Sequence, residues 1–170
     1  MIAGKTTSIK VTLPSEKEIV LTREFDAPRS LVFEAFVKPE HLRLWWGRSG
    51  STLTVCEVDL RPGGTWRYVT RNANGTEHPF RGEYREIVPP ERLVYTFMYD
   101  VDGFRDPAGL VEDVFLDKGE KTTLVETMYF PSQQARDETL KQGMVAGAEE
   151  TLDRLAELLA ELVKSSGLTA

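Results

Sequence analysis

Two carboxylates sit where the sequence pattern otherwise places apolar side chains. In "LVEDVFLD", Glu112 falls in step with Leu110, Val114 and Leu116; in "KTTLVETMYF", Glu126 falls in step with Leu124, Met128 and Phe130. Residues two apart on a strand share a face, so each acid would stand in apolar company. A carboxyl in such a place has a raised pKa unless a cation meets it, and it can carry a proton or anchor a polar group of a ligand. The plainer reading is that these faces meet solvent, that a bulge shifts the alternation, or that Glu126 meets an arginine from a neighbouring strand. No residue is assigned a catalytic role on this pattern.

Other groups capable of chemistry are sparse. The only histidines are His41 and His78, both expected to be exposed and ordinary, and the only cysteine is Cys56. No thiolate cluster or zinc-type histidine spacing exists, so neither a metal nor a cofactor is expected. Cys56 in "LTVCEVDL" reads as a small hydrophobe of a strand. There is no G-x-S-x-G nucleophile elbow, and the adjacent glycines of "RPGGTW" follow no strand-to-helix phosphate loop; that stretch reads as a bulge that turns the sheet.

The totals narrow the setting. A chain of 170 residues is the size of one domain, long enough to fold without a disulfide or a metal. A single cysteine excludes an internal disulfide and fits a reducing compartment. "MIAGKTTSIKVTLPSEKE" has no signal-peptide core, and no stretch nears the roughly 20 apolar residues of a membrane span. The expectation is a cytoplasmic protein without membrane insertion. A net charge of −6 speaks against nucleic acid, which calls for a basic face.

The elements that must position these residues follow from periodicity. "EIVLTREF" (18–25) reads as a strand. "DAPRSLVFEAFV" (26–37) reads as a helix with Asp26 as N-cap, Pro28 in the first turn, and Val32, Ala35 and Phe36 as its buried stripe. Pro39 opens a second short helix, "PEHLRLWW", closed by Gly47. Between 52 and 130 six strands follow one another: "TLTVCEVDL", "TWRYVTR", "FRGEYREIV", "RLVYTFMY", "LVEDVFLD" and "KTTLVETMYF". Asn74-Gly75, Pro89-Pro90, the loop "DVDGFRDPA" and "KGE" supply turns between them, so the sheet reads as an antiparallel meander. Trp66 and Tyr68 share a face, as do Phe80, Gly82 and Tyr84, and Leu93, Tyr95 and Phe97; Val94 and Met98 on the reverse suggest a strand covered on both sides.

That aromatic face needs a cover, and the C-terminal segment can supply it. Ser132 reads as an N-cap, Gly143 as a break, and a longer helix runs on to about Val163 with Val145, Ala148, Leu152, Leu155, Leu159 and Leu162 at spacings of three and four. Gly143, Ala146, Gly147 and Ala148 make its opening turns thin, and small residues opposite a wall of rings leave space unless the backbone moves in. Trp45 and Trp46 follow Leu42 by three and four positions. On a helix they would straddle its direction, about 60° to one side and about 40° to the other, with both rings on one neighbouring surface. Core packing stands ahead of ligand contact for either ring.

"FDAPRSLVFEAFVKPEHLRLWWG", "DLRPGGTWRYV", "FRGEYREIVPPERLVYTF" and "GMVAGAEETLDRLAELLAEL" together resemble the START-like (SRPBCC) superfamily. Within it they are most similar to the bacterial proteins that resemble the C-terminal domain of the activator of heat-shock-protein-90 ATPase. The resemblance spans about residues 17 to 163. It implies an α+β helix-grip fold: a curved antiparallel sheet of six to seven strands around a long C-terminal helix, roughly 143 to 163, with short helices at 27 to 37 and 39 to 46 closing one end. It also implies a hydrophobic cavity between sheet and helix. Residues 1–16 are left as an arm or an extra strand, 17–165 as the single START-like domain and 166–170 as a tail.

The leading functional reading is binding of a small apolar or aromatic molecule in that cavity. The lining is expected from Trp46, Trp66, Tyr68, Tyr84, Tyr95 and Phe97, with Glu126, Met128, Gly143, Met144 and Gly147 completing it. One alternative is a cyclase- or hydrolase-like enzyme using a pocket carboxylate; another is a protein-interaction or chaperone-associated domain, centred on Trp45 or Trp46, with a homodimer left open.

Overall fold

Alternation is the main determinant of the sheet. Strand β2 (Glu18–Phe25) buries every second side chain, Ile19, Leu21, Arg23 and Phe25, and the same two-residue rhythm places Trp66 and Tyr68 inward on β4 (Thr65–Arg71). In a computed structural model describing residues 9–103 and 109–167, the remaining strands are β1 (Lys10–Thr12), β3 (Thr52–Val58), β5 (Glu77–Val88), β6 (Arg92–Tyr99), β7 (Gly109–Lys118) and β8 (Lys121–Tyr129). The helices are α1 (Arg29–Val37), α2 (Pro39–Trp45), α3 (Gln133–Lys141) and α4 (Met144–Ser165).

All eight strands form one antiparallel sheet in the order β1-β2-β8-β7-β6-β5-β4-β3. β3 to β8 make the expected meander, and β2 returns to pair with β8, placing α1 and α2 across one end. The strand count exceeds the expected six to seven. The addition, β1, lies in the segment read as an arm or extra strand, where Lys10–Thr12 pair with Val20–Thr22. Residues 1–8, 168–170 and the last part of the "DVDGFRDPA" loop, 104–108, lie outside the described residues.

Bulges do curve the sheet, but not at "RPGG". The register shifts at Leu53/Val55 in the β3–β4 pair and at Tyr84/Glu86 in the β5–β6 pair. "RPGG" is instead the β3–β4 turn. Gly63 takes a positive φ of 84°, and its N–H donates to the Tyr84 carbonyl at 2.8 Å, while the Tyr84 N–H donates to the Gly64 carbonyl at 2.8 Å.

The α1 N-terminus also departs from expectation. Pro28 is the N-cap, in extended conformation, and its carbonyl accepts from the N–H groups of Leu31 and Val32. Asp26 stands two residues too early to cap, and pairs with Lys121 at 3.5 Å. α1 buries Val32, Phe33, Ala35 and Val37, with Phe36 only partly enclosed. Ser132 caps α3 as expected, accepting from the Ala135 N–H at 3.1 Å, and Gly143 at φ 82° makes the break before α4.

The core lies between the inner sheet face and the second half of α4, where Leu152, Leu155, Leu159 and Val163 are buried. Val163 takes the place expected for Leu162, which packs at the edge of the core. In the first two turns of α4, Val145 and Ala148 are only half-buried. Arg23, 3% exposed, points inward from β2, pairs with Asp153 of α4 at 2.7 Å and lies 5.4 Å from the Phe25 ring, so it ties sheet to helix.

One glycine is fixed by close approach. A Cβ on Gly82 would lie 1.8 Å from the Thr96 carbonyl oxygen and 2.6 Å from Trp66 Nε1. Gly82→Ala is therefore expected to push β5 off β6 and cost about 1–3 kcal/mol, the usual range for forced overpacking. Urea denaturation checks this; an unchanged midpoint would show that the strands have slack.

Candidate functional site

The half of α4 that buries nothing deeply faces a cavity of about 780 Å³, walled by the inner faces of β4 to β8 and by α2, α3 and α4. Its far wall is a continuous cluster of rings. Trp66 lies 4.6 Å from Tyr68 and 5.6 Å from Phe97 between centroids, and Phe80 lies 5.6 Å from Phe97. The pairings follow from register, since Tyr68 opposes Phe80, Tyr84 opposes Tyr95 and Trp66 opposes Gly82. Gly82 is bare because the Trp66 indole occupies the space its side chain would need.

Trp45 and Trp46 point apart, although both border the cavity. α2 ends at Trp45, and Trp46 has extended backbone (φ −72°, ψ 123°), so helical spacing fails between them. Trp45 turns under α1, where its Nε1–H donates to the Ala35 carbonyl at 2.9 Å and its ring packs 5.0 Å from Phe36. Trp46 turns to the sheet, 4.9 Å from Tyr68 and 5.1 Å from Phe80, and lines the cavity. The loop after it is pinned to α4 by Arg154, whose Nη1 donates to the carbonyls of Gly47 and Arg48 at 3.0 and 2.9 Å. Gly147 leaves room for the Arg48 guanidinium, which lies 3.0–3.4 Å from where a Cβ would stand.

All eleven residues expected at the lining border the cavity. Trp46, Trp66, Tyr68, Tyr84, Tyr95 and Phe97 form the aromatic wall, Glu126 and Met128 extend it on β8, and Gly143, Met144 and Gly147 face them from the start of α4. Gly143 and Gln142 are exposed at one end and Asn72 at another, so the space communicates with solvent.

The two suspected carboxylates separate. Glu112 faces outward, where Arg92 Nε donates to it at 2.6 Å and the Tyr129 hydroxyl at 3.4 Å; its expected apolar company does not hold. The inward phase of β7 is Val111, Asp113 and Phe115, all buried. Asp113, absent from the expected site, is 0% exposed and sits directly across from Glu126 in the β7–β8 register. The Tyr95 hydroxyl donates to Asp113 Oδ2 at 2.7 Å, and Oδ1 has no donor from the rest of the protein among the described residues. Burial and then the neighbouring Glu126 carboxylate push the Asp113 carboxyl well above the usual carboxylate range. The two acids thus share one site, with Asp113 enclosed behind the wall and Glu126 bordering the cavity.

The phenols nearby are neutral. Burial raises Tyr95 and Tyr68 well above the ordinary tyrosine value, with Asp113 next in effect on Tyr95, and burial pushes Tyr84 up to about 12. Burial likewise raises the Cys56 thiol, so it is a packed hydrophobe rather than a nucleophile. His78 is not exposed as expected: it is half-buried on the cavity wall, with Nδ1 2.7 Å from the Tyr99 hydroxyl and Nε2 3.2 Å from the Asn72 amide nitrogen. His41 is half-buried on α2, its Nδ1 enclosed. No described helix is long and apolar enough to cross a membrane.

Comparison with solved structures places the chain among helix-grip proteins. It is 26% identical to a protein from Rhodobacter sphaeroides, with a TM-score of 0.84 over 91% of this chain and 99% of that one. A protein from Chromobacterium violaceum is 27% identical, with a TM-score of 0.72 over 85% of this chain and 98% of that one. The AHSA1 protein from Silicibacter pomeroyi, 21% identical with a TM-score of 0.71 over 84% of this chain and 97% of that one, shares the fold. No curated protein matches the chain. The family model described as "Activator of Hsp90 ATPase homolog 1-like protein" matches residues 26–160, from the segment before α1 to the buried half of α4. With both short helices, the meander and the gripped helix inside that match, the chain belongs to this START-like family.

Proposed function

We propose that the protein binds a small apolar or aromatic molecule in the cavity between the sheet and α4. The observation that carries this reading is the cavity itself: about 780 Å³ that the chain's own side chains leave unfilled, walled largely by rings. Ligand sites are typically apolar concavities of roughly 300–1,000 Å³ with a few placed polar groups, and Glu126, Tyr68 and Tyr84 are such groups here. The reading is of a cytoplasmic binding module without a cofactor, acting as a monomer or homodimer.

The test is thermal denaturation across a panel of hydrophobic and aromatic compounds. A ligand at 100 times its dissociation constant stabilises the native state by about 2.7 kcal/mol, which for a domain of this size raises Tm by roughly 5–10 °C. A panel without a single upward shift would overturn the proposal.

Glu126 at the cavity wall, backed by Asp113, supports a second reading, in which that carboxyl carries a proton to or from a bound molecule. It is distinguished by Glu126→Gln, which would then abolish turnover while leaving binding nearly intact. An interaction domain centred on the paired indoles has less support: Trp45 is 2% exposed and Trp46 packs inward.

A further inference from the structure

The charges around the cavity are unevenly placed. Its deep wall carries Glu126, backed by Asp113, and among the described residues no cation: the basic side chains of these that border it, Arg48 and His78, stand beside the Gly47 loop and the β4–β5 hairpin. Arg23 also points inward from β2, but it is tied to Asp153 at 2.7 Å and does not line the space. Asp113 Oδ1 is fully enclosed without a donor from any other residue described, and Asp113 does not border the cavity, so Glu126 is the member of the pair that an occupant can meet. Tyr95, which borders the cavity, spends its hydroxyl proton on Oδ2. A half-buried carboxylate on a largely apolar wall calls for a cation or a strong donor from the occupant. The surrounding indole and phenol faces are negative at their centres and favour a cation as well.

We infer that the cavity selects an aromatic or apolar amine, its ammonium group donating to Glu126 and its body lying against Trp46, Trp66 and Phe97. The inference rests on the cavity-binding reading and adds the ligand's charge to it. An anionic ligand would bring its charge against Glu126, and a neutral one would leave the acid pair without a counter-charge.

Three probes with one body and different heads test this: 2-(2-naphthyl)ethylamine, 2-(2-naphthyl)ethanol and 2-naphthylacetate, titrated against tryptophan fluorescence. The amine is expected to bind tightest and the acetate weakest. Glu126→Gln is expected to cut the amine-over-alcohol preference about tenfold or more, the worth of a charge-assisted hydrogen bond. Asp113→Asn, which leaves the Glu126 charge in place, is expected to keep the preference and shows whether the loss follows charge or disturbed packing. If the alcohol or acetate binds as tightly as the amine, or if the preference survives in Glu126→Gln, the amine inference falls while cavity binding stands. If none of the three binds, both fall together.

Discussion

Trp45→Ala is expected to cost about 3–5 kcal/mol of folding stability, the range for removing a large aromatic side chain from a core. The same change one residue on should act differently. Trp45 is wedged between α1 and α2, and its indole N–H serves the Ala35 carbonyl, one of the last four in α1 and so without a partner inside that helix. Deleting the ring removes a side chain that is 2% exposed, at the edge of the cavity, and leaves that carbonyl unpaired. Trp46 also borders the cavity but is only half-buried, so Trp46→Ala removes mainly ring contacts with Tyr68 and Phe80, each worth about 0.5–1.5 kcal/mol beyond area. Its main effect should be on binding, by enlarging the cavity and removing one aromatic wall. Urea denaturation of both variants, with naphthyl-probe titration of Trp46→Ala, reads the contrast. Equal losses of stability at the two positions would mean that the Trp46 ring is core rather than cavity wall.

The contrast shows where sequence reasoning stops. The adjacency of two indoles is visible in the chain, and helical spacing predicts where each points as long as the helix continues. What the spacing does not contain is the point at which α2 ends, between the two rings. Strand faces were legible wherever one phase is aromatic and the other charged, as with Trp66 and Tyr68 against Arg67, and Trp66, Tyr68 and Tyr84 reach the cavity for that reason. β7 offered no such contrast. Both of its phases carry one acid among apolar residues, Leu110-Glu112-Val114 against Val111-Asp113-Phe115, and apolarity cannot choose between them. The outward phase is decided by tertiary partners, Arg92 and Tyr129, which neutralise Glu112 from the adjacent strands. The one local hint was Phe115, the only aromatic residue of that strand, on the inward side. The α1 cap failed for a related reason: Asp26 has a capping side chain, but the helix begins at Arg29, beyond its reach.

Asp113→Asn is expected to make the protein more stable than the parent, by a margin that grows with pH. The folded state holds the Asp113 proton more tightly than the unfolded chain does, because burial and the Glu126 charge disfavour its ionisation. Below the ordinary carboxylate range both states keep the proton, and this acid then favours neither the parent nor the variant. As pH rises past that range, the unfolded chain releases the proton while the folded protein retains it. Stability then falls by at most about 1.4 kcal/mol per pH unit, until the pH passes the raised value in the folded state and the loss levels off. An asparagine removes the titration without removing the bonds, since its carbonyl can accept from Tyr95 and its amide can donate to Glu126. The carboxylates outside the pair are common to both proteins, so the difference between their urea midpoints across a pH series isolates the Asp113–Glu126 pair. Parallel curves would mean that Asp113 ionises like any surface acid. A widening gap would mean that the parent carries an acid that weakens the fold at neutral pH, and a bound ammonium beside Glu126 is the kind of partner that reverses that cost.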